Sequence, residues 1–148
     1  MNSSSQPTVS VWILRHTILL WFGIFLNALF IVPLLFFPRW MLHKFNIPLG
    51  DEQLIWARAS AGLLMIISAF YVPAAIDFGR YRANAYIAVF VSRAFGATFF
   101  FLAVVLFGQP PGFLSISFVD ALIGSTTGYC LIRIATLEKQ HRQSGFIR

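Results

Sequence analysis

A chain of 148 residues that is 58% hydrophobic and only 11% charged cannot hide its apolar side chains from water, because a soluble domain carries about a quarter charged residues. Seventeen Phe and four Trp make lipid the expected surroundings and exclude an ordinary soluble globule. The formal charge of +6 does not point to nucleic acid, since the Lys and Arg residues flank apolar runs and form no stripe.

The opening segment MNSSSQPTVS is polar and has no Lys or Arg before Arg15. It lacks the basic start of a secretory signal, and the apolar run behind it is too long for a signal core and has no small-residue cleavage site. That run, Thr17 to Phe37, reads as a retained helix. It is the first of four that reach the roughly 20 residues needed to cross about 30 Å of hydrocarbon. The connection from Pro38 to Gln53 contains RWMLHKF, which mixes apolar and basic residues. Such a stretch suits a short helix over 39–46 lying in the headgroup layer, a plain loop being the alternative. The second span is Leu54 to Ile76, stopped by Asp77; the third is Ala83 to Phe107 and the fourth Phe113 to Ile134. Pro33 and Pro73 each lie near a span's end, where neighbouring helices can satisfy a freed carbonyl. The turn GQPPG is too short and too rigid for anything but a hairpin, so the third and fourth helices are expected to be antiparallel neighbours. The expected fold is therefore all-α: one four-helix integral membrane bundle filling residues 1–148.

Orientation follows from the basic residues. Arg15, Arg80, Arg82, Arg133, Lys139, Arg142 and Arg148 fall on the side of both termini, against Arg39 and Lys44 on the other. Seven against two places both termini in the cytoplasm, in a multi-pass protein of the inner (cytoplasmic) membrane.

Four polar residues interrupt the spans: Asn27, Arg58, Arg93 and Asp120. A charge near the bilayer centre costs about 2.5–3.5 kcal/mol on insertion scales and usually faces protein or water. At about 1.5 Å per residue, Arg58 lies roughly 6 Å and Asp120 roughly 10 Å below the same outer edge. Asn27 lies about 15 Å and Arg93 about 21 Å down, and a long arginine can rise toward a shallower partner. These depths suggest one intramembrane cluster, with Asp120 neutralised by Arg58 and joined by Arg93. The competing reading has each residue serving alone. A cluster would be structural as readily as functional.

Small residues accompany the charges. Ser117, Asp120, Gly124 and Gly128 share a side of the fourth helix, with Gly124 and Gly128 forming G-x-x-x-G. Arg58, Ala61, Gly62, Met65 and Ala69 share a side of the second, and Arg93, Gly96 and Ala97 a side of the third. Such faces serve close packing within a bundle or association with another subunit.

His16, His43 and His141 sit on different elements, none at mid-depth, so no bis-histidine haem is expected. Cys130 stands alone, which suits neither a disulfide nor a metal site. Adjacent Asp51 and Glu52 read as a helix start. No cofactor, metal site or catalytic residue is expected.

The region from Arg58 to Gly96, with the stretches ARASAGLL, YVPAAIDFGRYRANAY and SRAFGATFFF, resembles the small four-helix bacterial membrane proteins of the DoxX-like group. The resemblance spans roughly residues 17–135 and implies a four-helix bundle. It also implies an accessory role, since some members are taken to be membrane subunits of oxidoreductase complexes, including thiosulfate:quinone oxidoreduction. It transfers no catalytic residue. Three roles follow as expectations: a non-catalytic accessory or scaffold subunit that self-associates or joins other membrane subunits; a binder or carrier of a small lipophilic or anionic molecule, such as a quinone or lipid, near Arg58 and Arg93; or a subunit supplying a quinone pocket to a redox enzyme.

Overall fold

The computed structural model describes residues 8–47 and 50–145; the first seven residues and Arg148, both used above, lie outside them. Within them the chain is all-helical, and four helices are long and apolar enough to cross a membrane.

Helix α1 runs Val9–Phe36, beginning well before Thr17. The added turns form because Trp12 and His16 are buried and Val9 and Ile13 pack on the core. Pro33 lies in the last turn, where its carbonyl accepts the Phe37 amide at 2.8 Å. Helix α2, Pro38–Lys44, starts on a proline, whose missing amide is harmless at a helix's first position. It buries Met41 and Leu42 and exposes Trp40. Asn46 then takes a left-handed conformation (φ 54°) to turn the chain. Helix α3, Asp51–Ile76, carries Asp51 and Glu52 in its first turn, where carboxylates complement the helix dipole. It closes as α1 does, Pro73 accepting the Asp77 amide at 2.9 Å.

Helix α4, Arg82–Phe107, contains a π-helical stretch, Ile87–Arg93. It ends at Gly108, whose φ of 62° suits the left-handed residue that terminates many helices. Helix α5, Phe113–Gly145, continues beyond Ile134 because Leu137 packs on the core and Glu138 receives both Arg82 guanidinium nitrogens.

Helix α1 lies between α3 and α5; α4 packs along α5 and meets α3 where α4 begins. Toward Phe107 the α3–α4 seam parts. At the end carrying the Pro110–Pro111 turn, Phe45 lies against Phe30 and stacks on Phe113, with ring centroids 6.3 and 5.9 Å away. Gly112 admits that ring, since a Cβ there would sit 2.8 Å from Phe45 Cδ1. At the opposite end Trp12 meets Tyr129 edge-on at 5.6 Å and His16 meets Phe78 at 5.2 Å.

The distribution of apolar residues inverts that of a soluble protein. Ala61, Ala74 and Ala85 are fully buried, while Phe25, Phe36, Trp56, Phe95 and Phe107 are more than half exposed. In lipid no hydrophobic force drives helices together, so small residues that let backbones approach take the interior. The chain is a multi-pass membrane protein.

Candidate functional site: the Arg93–Asp120 pair

Arg93 closes the π-helical stretch of α4, is 7% exposed and touches the other three spanning helices. A π turn is wider than an α turn, and single turns of this kind recur at functional sites. Arg93 Nη1 donates to Asp120 Oδ1 of α5 at 2.5 Å. Its Nη2 donates to the Gly23 carbonyl of α1 at 3.1 Å. The guanidinium carbon lies 5.7 Å from the ring centroid of Tyr71 on α3, within cation–π range.

Glycines make room for the pair. A Cβ at Gly23 would lie 2.9 Å from Arg93 Nη2, and one at Gly124 would lie 3.1 Å from Arg93 Cβ. A Cβ at Gly96 would collide with Asp120 Oδ2. One turn further along α5, a Cβ at Gly128 would lie 3.2 Å from Val89 Cγ1. Gly96, Gly124 and Gly128 thus sit at close approaches between α4 and α5, which Ser117 also joins by donating to the Ala97 carbonyl at 2.7 Å.

Gly62 differs: a Cβ there would meet nothing within 4 Å. The reason is the facing of α3, which turns Ala57, Ala61, Ser68, Tyr71 and Ala75 inward. Arg58 and Gly62 belong to the adjacent row with Met65 and Ala69, and Arg58, Met65 and Ala69 are exposed. Arg58 therefore stands apart from Asp120, and the two ion pairs among the described residues are Arg82–Glu138 and Arg93–Asp120. Matching depth did not bring Arg58 to the carboxylate, because depth along a helix says nothing about which way a side chain faces.

Asn27 lies one turn beyond Gly23 on α1. Its Nδ2 donates to Ser68 Oγ of α3 at 2.8 Å, and Ser68 donates on to the Leu64 carbonyl at 2.7 Å. Asn27, Arg93 and Asp120 line one interior cavity of about 180 Å³, with Ser60 and Phe100.

Asp120 also borders two spaces that open outward. One, of about 450 Å³, is a groove between α4 and α5 bordered by Ala97, Ala121 and Gly124. The other, of about 500 Å³, is the parted α3–α4 seam, with apolar walls including Ile67, Phe70, Phe95 and Phe99. Its polar residues are Tyr71, Ser92 and Asp120. Tyr71 donates its hydroxyl to Ser92 Oγ, which leaves Ser92 its own proton to give. Asp120 is engaged through Oδ1, and its Oδ2 lies beside Gly96 at the cleft. The cleft thus offers a hydrogen-bond acceptor and a donor at the base of an apolar, lipid-facing slot. Gly23, Ser68, Tyr71 and Ser92 escaped the sequence reading; the only signals were a glycine four residues before Asn27 and a serine next to Arg93.

Among the described residues no three His, Cys, Asp or Glu side chains lie close enough to hold a metal ion. Protein-family models, curated proteins and solved structures yield no match to the chain.

Proposed function

We propose that this chain is a four-span protein of the cytoplasmic membrane, both ends in the cytoplasm, that binds a lipophilic molecule by its polar head at Asp120. One observation carries the reading: a carboxylate neutralised on one oxygen by Arg93 presents the other at a cleft walled by apolar side chains and open toward lipid. The cleft's volume lies in the range usual for small-molecule sites, about 300–1,000 Å³. A quinol or quinone suits it chemically, a hydroxyl donating to Asp120 Oδ2 and a carbonyl accepting from Ser92. The pair carries no net charge, so a neutral head enters without stranding an ion in the bilayer. The seven-to-two bias of Lys and Arg supports the orientation. The DoxX-like resemblance, which rests on the quoted stretches alone, agrees with a binding subunit attached to a redox complex.

A second reading, the scaffold subunit, is supported by the α4–α5 groove, whose small residues Ala97 and Ala121 would admit a partner's helix. One experiment separates the two. The protein is purified in mild detergent and titrated with a short-tailed benzoquinol, while a parallel sample is weighed by native mass spectrometry. Saturable binding that weakens at least about tenfold in Gly96→Val and persists in Gly62→Val supports the cleft. Equal binding by both variants refutes it, and a stoichiometric co-purifying polypeptide with no quinol binding favours the scaffold.

A further inference from the structure

We infer that the end of the bundle where α1 begins holds one anionic phospholipid, its phosphate at Arg15 and Arg133 and an acyl chain in the groove between α1 and α5. The site is separate from the Asp120 cleft and stands on different residues. Trp12 is 7% exposed, and two guanidiniums sit on its indole: Arg15 Cζ is 4.7 Å and Arg133 Cζ 5.5 Å from the ring centroid. Two like charges gathered on one ring repel each other unless an anion joins them. Among the described residues no carboxylate does so: the ion pairs there are Arg82–Glu138 and Arg93–Asp120, and neither includes Arg15 or Arg133. Arg133 Nε and Trp12 Nε1 are both buried without a hydrogen-bond partner. Two uncompensated cations and two orphaned N–H donors around one indole call for a ligand rich in anionic oxygen.

The adjoining groove selects the kind of anion. Arg15 stands on the rim of a shallow groove of about 540 Å³ bordered by Ile18, Leu19, Thr126, Tyr129 and Cys130. An inorganic anion would use the guanidiniums and leave this apolar groove uncovered. A phospholipid uses both, its phosphate among the cations and a chain lying on Ile18 and Leu19. Arg15 and Arg133 bring two positive charges to one phosphate, which favours a net negative headgroup over a zwitterionic one, whose own cation they would repel.

The test uses the full-length protein in neutral detergent, supplied with phosphatidylglycerol, phosphatidylcholine or inorganic phosphate. Lipid retention is read by native mass spectrometry and protection by the thermal midpoint. One phosphatidylglycerol should be retained, and Arg15→Gln with Arg133→Gln should weaken it about thirtyfold, Arg15→Gln alone accounting for about fivefold. Lys139→Gln with Arg142→Gln removes the same charge away from Trp12 and should leave retention within about twofold. The single Arg15 variant keeps the test decisive if the double variant misfolds. Equal retention of phosphatidylcholine, equal protection by inorganic phosphate, or equal loss in the Lys139/Arg142 control would each overturn the site.

Discussion

The Arg93–Asp120 pair can be weighed by a double-mutant cycle. Their side chains are 9% and 15% exposed, so both charges are largely withdrawn from solvent. Asp120→Leu strands the guanidinium and Arg93→Met strands the carboxylate; losing one member of a buried pair costs about 3–5 kcal/mol. Arg93→Met also gives up the bond to the Gly23 carbonyl, worth about 1 kcal/mol. The double variant strands no charge and should lose only that bond and some packing, about 1–2 kcal/mol. Even the smallest of these figures puts the coupling between the two positions at about 5 kcal/mol. Reversible unfolding by sodium dodecyl sulfate in mixed micelles, followed by tryptophan fluorescence and circular dichroism, measures all four corners. Single effects that simply add to within about 0.5 kcal/mol would refute the pair as the joint of the bundle.

Three further outcomes follow from the same geometry. Gly62→Ala should raise stability by up to about 1 kcal/mol through helix propensity, whereas Gly23→Ala, driven against Arg93 Nη2, should cost about 1–3 kcal/mol; the same unfolding assay ranks them. Arg58→Gln should change stability by no more than about 0.5 kcal/mol, because Arg58 is exposed on the outer side of α3. Cysteines placed at Asn46 and Gln143 should label with impermeant maleimide from opposite faces of intact membranes, and labelling of both from one face would contradict the threading.

The four spans were legible because lipid imposes a coarse requirement, about 20 apolar residues per crossing, that hydropathy reads directly. The helix ends were less so. Hydropathy falls where charges begin, yet α1 and α5 continue into polar sequence on local contacts: Trp12 and His16 packing inward, and Glu138 reaching Arg82. For the polar residues, rise per residue gave height and left rotation open. The row Arg58, Gly62, Met65 and Ala69 lies one position from the row Ala57, Ala61 and Ser68 that α3 buries, and nothing in composition chooses between them. The π stretch is invisible for a related reason: IAVFVSR contains neither Gly nor Pro, so its wider turn arises from packing rather than from local propensity. Tyr71, thirteen residues from Arg58 on its own helix, and Ser92, next to Arg93, were brought to Asp120 by that packing.

Arg93 and Asp120 are carried by consecutive helices joined at Gly108–Gly112. During biogenesis the two helices can enter the bilayer as one hairpin. The arginine and the aspartate then travel as a neutral couple, and neither has to cross the headgroup barrier as a lone ion. A spacer long enough to let the helices insert one after the other would forfeit that protection, so the proline-locked turn governs delivery of the charges as much as their final placement.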